Sequence, residues 1–353
     1  MAKELWKGNE AIAEAAIRGG CDCYFGYPIT PQSEVPEYMS LHMPEHGKVF
    51  VQAESELAAI NMVYGAAASG MRAMTSSSSP GVALKQEGIS YIATCELPCV
   101  IVNCMRGGPG LGTIQPSQSD YFQATRGAGH GDFHMLVLAP ASVQEMADLT
   151  IKGFDLADKY RMTCMILADG TLGQMMEPVE IKIPEKHEFD KSWAVTGTEG
   201  KRNHNIINSL SLDPHELEKF NFERFERYKA IEENEAMAEE YMMDDAQICV
   251  VAFGIAARVA KNAINEARRQ GVKVGLIRPI TLWPFPKKVL RSAAEKCESF
   301  ISVELNMGQM IEDVRAAIEY KRPVTLCNRA GGVIPSVAEV YAQIMEAAKG
   351  GAQ

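Results

Sequence analysis

Two carboxylates that directly follow a short apolar run are the first candidates for chemistry in this chain. Residues 49–51 favour a strand, Glu54 and Glu56 come next, and the alanine-rich residues 57–69 favour a helix. A second strand is expected at 72–75. In open parallel sheets, binding and catalytic groups collect at the carboxyl ends of the strands. This strand–helix–strand unit therefore predicts a functional carboxylate at the edge of a parallel sheet.

Helical geometry separates the two acids. Glu56 would share its helical face with the small apolar residues three, four, seven and eleven positions on, which are Ala59, Ile60, Val63 and Ala67. If the helix already includes Glu54, that residue would lie about 200° round it, so the two side chains cannot face the same pocket. We expect Glu56 to be the functional acid. Glu54 is then a partner of the helix dipole in the first turn or a contact to another chain.

A proline-bounded loop supplies a candidate hydroxyl, that of Thr30. Pro28 and Pro31 fix φ and remove two backbone donors, and each pushes the preceding residue toward an extended conformation. Such a rigid loop can hold Thr30 in one place at a strand end. It can equally be a tight strand-to-helix connection that Ser33 caps, and both interpretations stay open.

A buried cation is expected at Arg106, which follows the apolar residues 98–104 and precedes the glycine-rich residues 107–112. Neither a phosphate-binding P-loop nor a dinucleotide fingerprint matches this glycine spacing. A guanidinium at the end of a buried strand needs an anion. The anion can come from a ligand or from a nearby acid of the protein, and the residues leave both alternatives open.

Composition excludes several classes of function. The net charge of −10 argues against a nucleic-acid partner, and no apolar run has the roughly 18 residues needed to cross a bilayer. We therefore expect a cytoplasmic protein. Nine cysteines without a C-x-x-C spacing favour free thiols over a disulfide framework or an iron–sulfur site. His130 and His134 lie among glycines, which favours a solvated loop over a zinc pair.

The order of elements predicts an α/β protein with two sheets. Residues 1–184 alternate strand and helix in the manner of a doubly wound domain. Residues 185–244 are highly charged and read as an excursion followed by a helix at 214–241. Residues 245–353 form a second strand–helix alternation.

Several motifs together resemble the α subunit of 2-oxoacid:ferredoxin oxidoreductases, and the resemblance covers nearly the whole chain. The motifs are Gly26-Tyr-Pro-Ile-Thr-Pro-Gln-Ser-Glu34, Gln52-Ala-Glu-Ser-Glu-Leu-Ala-Ala59, Arg106-Gly-Gly-Pro-Gly110 and Arg278-Pro-Ile-Thr-Leu-Trp-Pro-Phe-Pro286. The resemblance implies a pyrimidine-binding-type doubly wound domain for thiamine diphosphate, followed by a transketolase C-terminal-like α/β domain.

The resemblance also implies a cofactor site that is shared between chains. A β subunit would bind the diphosphate and Mg²⁺, and no metal is expected on this chain. Partner chains would carry [4Fe-4S] clusters, and many members add γ and ferredoxin-like subunits. The implied reaction is the coenzyme A-dependent oxidative decarboxylation of a 2-oxoacid to an acyl-CoA, with reduction of ferredoxin.

Roles for individual residues follow from the same resemblance. Glu56 would bond to the aminopyrimidine ring nitrogen of thiamine diphosphate, while Thr30 and Arg106 would contact the substrate. The further cofactor-binding residues would be Tyr27, Pro28 and Ile29. The serines at 76–79, with a turn expected at 80–81, would shape the floor beneath the pyrimidine or contact the partner chain.

The glycine-rich loop indicates the substrate. Many family members have Gly-Pro-Ser-Thr-Gly here, whereas this chain has Gly108-Pro-Gly-Leu-Gly112, which looks like the branched-chain (2-oxoisovalerate) members. No second basic residue lies between Arg106 and Arg126, which favours an apolar substrate side chain over a dicarboxylate. Alternatives are the same enzyme acting on 2-oxoglutarate, pyruvate or an arylpyruvate. Different classes are a non-catalytic assembly subunit and a transketolase-like transferase.

Overall fold

The computed structural model describes residues 3–127, 129–182, 185 and 187–350. The first half of the chain contains β1 (Glu4–Lys7), α1 (Gly8–Arg18), β2 (Cys23–Gly26), α2 (Glu34–Glu45), β3 (Val49–Gln52), α3 (Glu56–Ala68), β4 (Ala73–Ser77), α4 (Ser79–Thr94), β5 (Cys99–Met105), α5 (Tyr121–Thr125), β6 (Leu136–Leu138), α6 (Val143–Tyr160), β7 (Thr163–Asp169), α7 (Gly170–Gln174) and β8 (Met176–Val179).

The second half contains α8 (Pro214–Asn234), β9 (Ala238–Tyr241), β10 (Ile248–Val251), α9 (Gly254–Arg269), β11 (Val274–Pro279), β12 (Thr281–Trp283), α10 (Lys287–Ala294), β13 (Ser299–Glu304), α11 (Met310–Ala317), β14 (Val324–Asn328) and α12 (Val337–Gly350).

The larger sheet has seven strands in the order β12-β6-β7-β5-β4-β2-β3. Its strands from β2 to β7 pair in parallel, and β12 joins the edge in antiparallel orientation. Every residue of the central strands β5 and β7 is buried, as expected for parallel strands covered by helices on both faces. The doubly wound α/β architecture predicted from the sequence is confirmed.

The second sheet has five strands in the order β14-β13-β10-β11-β9, with only β9 antiparallel to its neighbour. Helices α9 and α12 pack against each other beside it. The buried face of α9 carries small residues, among them Ala256, Ala260 and Ala263. Small side chains on this face let the helix and the sheet approach closely.

Two local predictions are wrong, and two strands were not predicted. The turn expected at 80–81 is instead the first turn of α4, where Pro80 needs no backbone donor. The helix expected at 214–241 ends at Asn234, and its last four residues form strand β9. Residues 4–7 form β1, which pairs with β8, although no strand was expected there. Residues 281–283, to which no element was assigned, form β12.

Strand β12 has a consequence for the organisation of the chain. It follows β11 of the second sheet, yet it pairs with β6 of the first sheet, with Thr281 opposite Leu138. The polypeptide therefore returns to the first sheet after the second has begun. Residues 183–184, at the first predicted domain boundary, lie outside the described residues.

Candidate active site

The predicted site residues all lie at the carboxyl edge of the larger sheet. The loop with Thr30 follows β2, Glu56 begins the helix after β3, and Arg106 follows β5. These strands are neighbours in the order β5-β4-β2-β3, so three interstrand spacings, about 14 Å in all, separate β5 from β3. The fold thus places the acid, the hydroxyl loop and the cation along one edge.

Glu56 is buried at the first position of α3. Ser55 caps the helix by accepting a hydrogen bond from the Ala58 N–H at 3.2 Å. The Glu56 side chain is only 7 % exposed, whereas Glu54 is exposed. In the described part of the chain, no donor lies within hydrogen-bonding distance of the Glu56 carboxylate. The oxygens of Glu56 are not among the fully buried unpaired atoms, so the carboxylate stays open to a donor from water or from a ligand.

The space beside the Glu56 carboxylate is left free by a glycine, which has no side chain. A Cβ atom on Gly81 would lie 2.7 Å from Glu56 Oε1 and would also overlap Ser77 Oγ. The hydroxyls of Ser77 and Ser78 are buried and have no hydrogen-bond partner among the residues that the structure describes. Glycine at the start of α4 therefore allows the acid and the serine-rich strand end to come together.

Arg106 is buried, with 7 % of its surface exposed, and its guanidinium has only main-chain partners. Nη1 donates to the Thr30 carbonyl and Nη2 to the Leu111 carbonyl, each at 2.9 Å, while Nε is buried and unpaired. Among the residues that the structure describes, no carboxylate lies within 4.0 Å of it. Of the two alternatives for Arg106, the ion pair with a nearby acid is therefore not found among the described residues.

The same guanidinium joins two loops. By bonding to Thr30 and Leu111, it holds the proline-bounded loop against the glycine-rich loop. Gly112 adopts a positive φ of 61°, and a Cβ there would overlap the Gly107 carbonyl. The tight turn of this loop therefore requires glycine.

The proline-bounded loop presents its tip to solvent. Tyr27, Pro28 and Thr30 are exposed and Ile29 is half-buried. Ser33 precedes α2, but its side chain makes no capping hydrogen bond. The loop does connect strand β2 to helix α2, but the side-chain cap expected from Ser33 is absent among the described residues.

A buried residue that the sequence patterns did not indicate holds the proline-bounded loop in place. Gln32 is completely buried, and its Nε2 donates to the Tyr27 carbonyl at 3.4 Å. Its Oε1 accepts a hydrogen bond from Ser76, which also bonds to the Tyr24 hydroxyl at 2.6 Å. This buried polar chain fixes the loop to β2 and β4.

A second polar cluster ties the start of α4 to the end of β5. The Ser79 hydroxyl donates to Asp120 Oδ2 at 2.5 Å and accepts from the Arg106 N–H at 3.0 Å. Asn103 donates to the same Asp120 oxygen at 2.9 Å. Burial raises the pKa of Asp120 above its usual range, and the hydrogen bonds from Ser79 and Asn103 oppose that shift.

A cavity of about 390 Å³ opens beside this cluster, between the two sheets. Ser79, Asp120 and the glycine-rich loop line it on one side, and Asn306 and Met307 line it on the other. The sequence analysis missed Asn103, Asp120 and Lys85 as residues of the site. A polar residue inside the apolar run at 98–104, and a lysine on the apolar face of a helix, are the signals that could have identified Asn103 and Lys85.

The expectation of a solvated histidine loop is half wrong. His130 is exposed, but His134 is half-buried and stacks on Trp283 with ring centroids 4.8 Å apart. Burial lowers the pKa of His134. Ala128 of this loop lies outside the described residues. Elsewhere in the described chain, no group of three or more His, Cys, Asp or Glu side chains is arranged to hold a metal ion.

None of the described helices combines the length and the apolar character that a membrane crossing requires.

Comparison with protein families matches both halves of the chain. Residues 14–243 match the family described as pyruvate flavodoxin/ferredoxin oxidoreductase, thiamine diphosphate-binding. Residues 246–340 match the pyruvate:ferredoxin oxidoreductase core domain II. The cofactor implied by the resemblance is thereby supported for the first of these regions.

Individual relatives match the full chain. The ketoisovalerate oxidoreductase subunit VorB of Methanothermobacter marburgensis is 54% identical over 351 residues, which cover 99% of both proteins. The 2-oxoglutarate synthase subunit KorA of Methanothermobacter thermautotrophicus is 35% identical, covering 98% of this chain and 99% of its own length.

Solved structures share the fold. The 2-oxoglutarate:ferredoxin oxidoreductase of Magnetococcus marinus, solved with 2-oxoglutarate, coenzyme A and succinyl-CoA bound, is 28% identical with a TM-score of 0.89. The match covers 98% of this chain and 65% of that one. A split-gene transketolase, at 14% identity and a TM-score of 0.61, shares the fold alone. Taken with the full-length relatives, these matches confirm the resemblance seen in the motifs: the chain belongs to the 2-oxoacid:ferredoxin oxidoreductase family, as a subunit of such an enzyme.

Proposed function

We propose that this chain supplies the pyrimidine half of a thiamine diphosphate site in a branched-chain 2-oxoacid:ferredoxin oxidoreductase. The observation that carries the proposal is the Glu56 carboxylate, which is buried beside Gly81 and has no donor within the described chain. The reaction is the coenzyme A-dependent oxidative decarboxylation of a 2-oxoisovalerate-like acid, with ferredoxin as electron acceptor.

The residues present fit this half of the cofactor. Glu56 offers an unpaired acceptor for a protonated ring nitrogen, and Gly81 leaves room next to it. Tyr27, Pro28 and Ile29 form the exposed loop after β2 that would border the same ligand. Thiamine diphosphate, when bound, supplies the nucleophilic carbon and the electron sink that the protein lacks.

The chain's own residues then have distinct tasks. Glu56 holds a proton at the ring nitrogen of the pyrimidine. Arg106, a buried cation without an anionic partner among the described residues, binds the substrate carboxylate. The hydroxyl of Thr30, on the loop that Arg106 tethers, contacts the same end of the substrate.

The substrate assignment rests on the glycine-rich loop and on the relatives. The 54% identical relative is a ketoisovalerate oxidoreductase subunit, and residues 107–125 contain no second cation for a dicarboxylate. The similarity to 2-oxoglutarate enzymes keeps 2-oxoglutarate as the second candidate. Pyruvate and arylpyruvates are the remaining alternatives.

The remaining components are assigned to partner chains. A β subunit would bind the diphosphate and Mg²⁺, and β, γ or ferredoxin-like chains would carry [4Fe-4S] clusters. Within this chain, we assign residues 1–184 to the pyrimidine-binding domain, 185–244 to a connecting region and 245–353 to the transketolase C-terminal-like domain. The cytoplasmic location favoured by the sequence stays a prediction.

The test compares two carboxylates that lie two residues apart. In the complex reconstituted with its partner subunits, Glu56→Gln is expected to lower the rate of 2-oxoisovalerate-dependent ferredoxin reduction by about 10²–10⁴-fold, the usual range for a lost acid–base group. The matched control Glu54→Gln, at an exposed position, is expected to keep the rate of the unsubstituted complex. Size-exclusion chromatography checks that both variants assemble.

Normal turnover by an assembled Glu56→Gln complex would refute the catalytic role and favour a non-catalytic assembly subunit. Rates with 2-oxoisovalerate, 2-oxoglutarate, pyruvate and phenylpyruvate decide the substrate class. Tight binding of thiamine diphosphate to this chain without its partners would contradict the shared site and favour a transketolase-like enzyme.

A further inference from the structure

A lysine is completely buried directly beneath the Glu56 segment. Lys85, in the second turn of α4, has no exposed surface. Its Nζ donates to the Thr75 hydroxyl of β4 at 3.1 Å and to the main-chain carbonyl of Glu56 at 3.4 Å. The amine therefore connects the end of one strand to the first residue of α3.

Packing does not explain this side chain. Lys85 lies on the face of α4 that also carries Val82, Ile89 and Ile92, all completely buried, where an apolar residue of similar length would fit. A lysine is almost never fully buried without a charged partner. Among the described residues, no carboxylate lies within 4.0 Å of its amine. A lysine at this position therefore indicates a function other than packing.

Electrostatics link Lys85 to Glu56. Burial lowers the pKa of Lys85 to about 8, and the negative charge of Glu56 opposes that shift. At pH 7 the amine is therefore still about 90 % protonated. The interaction is reciprocal, because a positive charge that is stabilised by a carboxylate also stabilises that carboxylate.

We propose that Lys85 is the positioning residue of Glu56: it ties the main chain of Glu56 to β4 and places a buried positive charge beneath the segment that presents the Glu56 carboxylate to its ligand. The proposal rests on the function proposed for Glu56 above. Lys85 itself touches neither substrate nor cofactor, since it has no exposed surface.

Glu56 is the one group in the described chain whose charge shifts the pKa of Lys85. Strand β4 contributes no ionisable side chain. The other ionisable side chains on α3, α4, β5 and β7 are Tyr64, Glu87, Tyr91, Cys99, Cys104, Cys164 and Asp169.

The test uses Lys85→Met, Lys85→Arg and the exposed control Lys288→Met in the reconstituted complex. Two quantities are measured between pH 5.5 and 9: the dissociation constant of thiamine diphosphate, from titration calorimetry, and kcat/KM for the 2-oxoacid. Lys85→Met removes the charge and keeps the volume. We expect its thiamine diphosphate affinity to fall about tenfold at pH 6, which corresponds to about 1.4 kcal/mol. We also expect the decline of affinity and of kcat/KM near pH 8, where Lys85 loses its proton in the unsubstituted complex, to disappear.

Lys85→Arg keeps the charge and is expected to restore most of the affinity. Lys288→Met is expected to match the unsubstituted complex. A merely structural role for Lys85 would lower the melting temperature and reduce both quantities equally at all pH values. An assembled Lys85→Met complex with unchanged affinity and pH profile would overturn the proposal.

A second variant covers the case in which Lys85→Met does not assemble. Thr75→Val keeps the lysine but removes one of its two acceptors. The ammonium form loses stabilisation, so the alkaline limb near pH 8 is expected to move to lower pH. An unchanged alkaline limb would contradict the proposal. Failure of the underlying function is distinguishable, because it would appear as full activity of Glu56→Gln.

Discussion

Glu56 and Glu304 are two buried glutamates in similar places, and they differ in one respect. Each lies where a parallel strand gives way to a helix, Glu56 after β3 and Glu304 at the end of β13. Glu304 is completely buried and accepts four hydrogen bonds of 2.8–2.9 Å, from the N–H groups of Gln309, Met310 and Ile311 and from the Ser302 hydroxyl. Glu56 accepts none in the described chain.

The difference separates an acid whose hydrogen-bonding capacity is satisfied by the described chain from one whose capacity is not. Donors at the start of α11 satisfy Glu304, in the manner of any anion at a helix N-terminus. Its charge is therefore fully used in holding the fold. Glu56 is nearly as buried but is left without a donor, so its charge is available to a ligand. Burial by itself does not distinguish the two.

The largest effect on this comparison is expected from a substitution of Glu304. Glu304→Gln replaces a carboxylate, which accepts all four hydrogen bonds, with an amide that has one carbonyl acceptor and one NH₂ donor. Some of the four donors are then left unpaired, at a cost of about 3–5 kcal/mol. Calorimetry of the assembled complex should show a melting temperature several degrees lower, whereas Glu56→Gln should leave it nearly unchanged. Equal losses in the two variants would mean that Glu56 is also structural.

Arg106 extends the comparison to a cation. Arg106→Met removes the buried charge and both bonds to the loops, and we expect kcat/KM for the 2-oxoacid to fall about 100-fold, or about 3 kcal/mol. Arg106→Lys should recover only part of the loss, because one ammonium cannot reach the Thr30 and Leu111 carbonyls and a carboxylate together. The Michaelis constant for the acid is the parameter to follow. An unchanged constant would remove Arg106 from the substrate site.

Asp169 is an intermediate case, with two main-chain donors and complete burial. It accepts from the Ile255 N–H at 2.7 Å and from the Leu172 N–H at 3.2 Å, which joins the two sheets. Burial raises its pKa to about 6 against an ordinary value of 3.8, and the main-chain hydrogen bonds oppose this. Between about pH 4 and 6 the folded protein therefore binds more protons than the unfolded chain, so the stability contributed by Asp169 falls as the pH rises through this window.

Asp169→Asn should remove that decline. The difference in free energy of unfolding between the unsubstituted protein and the variant should shrink by on the order of 2 kcal/mol from pH 4 to pH 6.5 and stay level above. Thermal unfolding at a series of pH values measures it. A difference that grows with pH would show that hydrogen-bond donors satisfy Asp169, as they satisfy Glu304, rather than being too few for it.

The smallest effect is expected from a substitution of Gly81, the glycine beside Glu56. Gly81→Ala forces a methyl group to within 2.7 Å of Glu56 Oε1, so we expect the carboxylate to shift and thiamine diphosphate binding to weaken by about 1–2 kcal/mol. Gly65→Ala, in the middle of α3 with open space around it, is the matched control. Equal affinities in the two variants would place the ligand elsewhere.

Most of the architecture could be predicted because its signals are local. The apolar runs of β5 and β7 and the small-residue face of α3 specify parallel strands and a packed helix wherever they occur in the fold. The failures lie where a distant partner decides. Residues 238–241 have helical composition but complete the edge of the second sheet, and residues 281–283 become a strand only because β6 offers an unpaired edge.

The site divides in the same way. The helical period places Glu56 on the buried face, and the structure has it so. Glu54 is exposed as expected, but it precedes the N-cap Ser55, so the helical period does not determine its position. The period carries no information on whether Arg106 has an acidic partner, which depends on loops separated by 76 residues in sequence. The sequence did not indicate Gln32 and Lys85 for the same reason. Their partners, Ser76 and Thr75, lie on a different element of the fold, strand β4.

The sequence by itself determined the fold class, the family and the acid on the buried helical face, because residue types at short spacings encode these. Only the tertiary structure decided which buried charges are satisfied. Glu304 meets four donors, Glu56 meets none, and Lys85 lies beneath Glu56 with two neutral acceptors. Hydrogen-bond partners of this kind come from elements that are distant in the chain, and their positions exist only once the sheets and helices have packed.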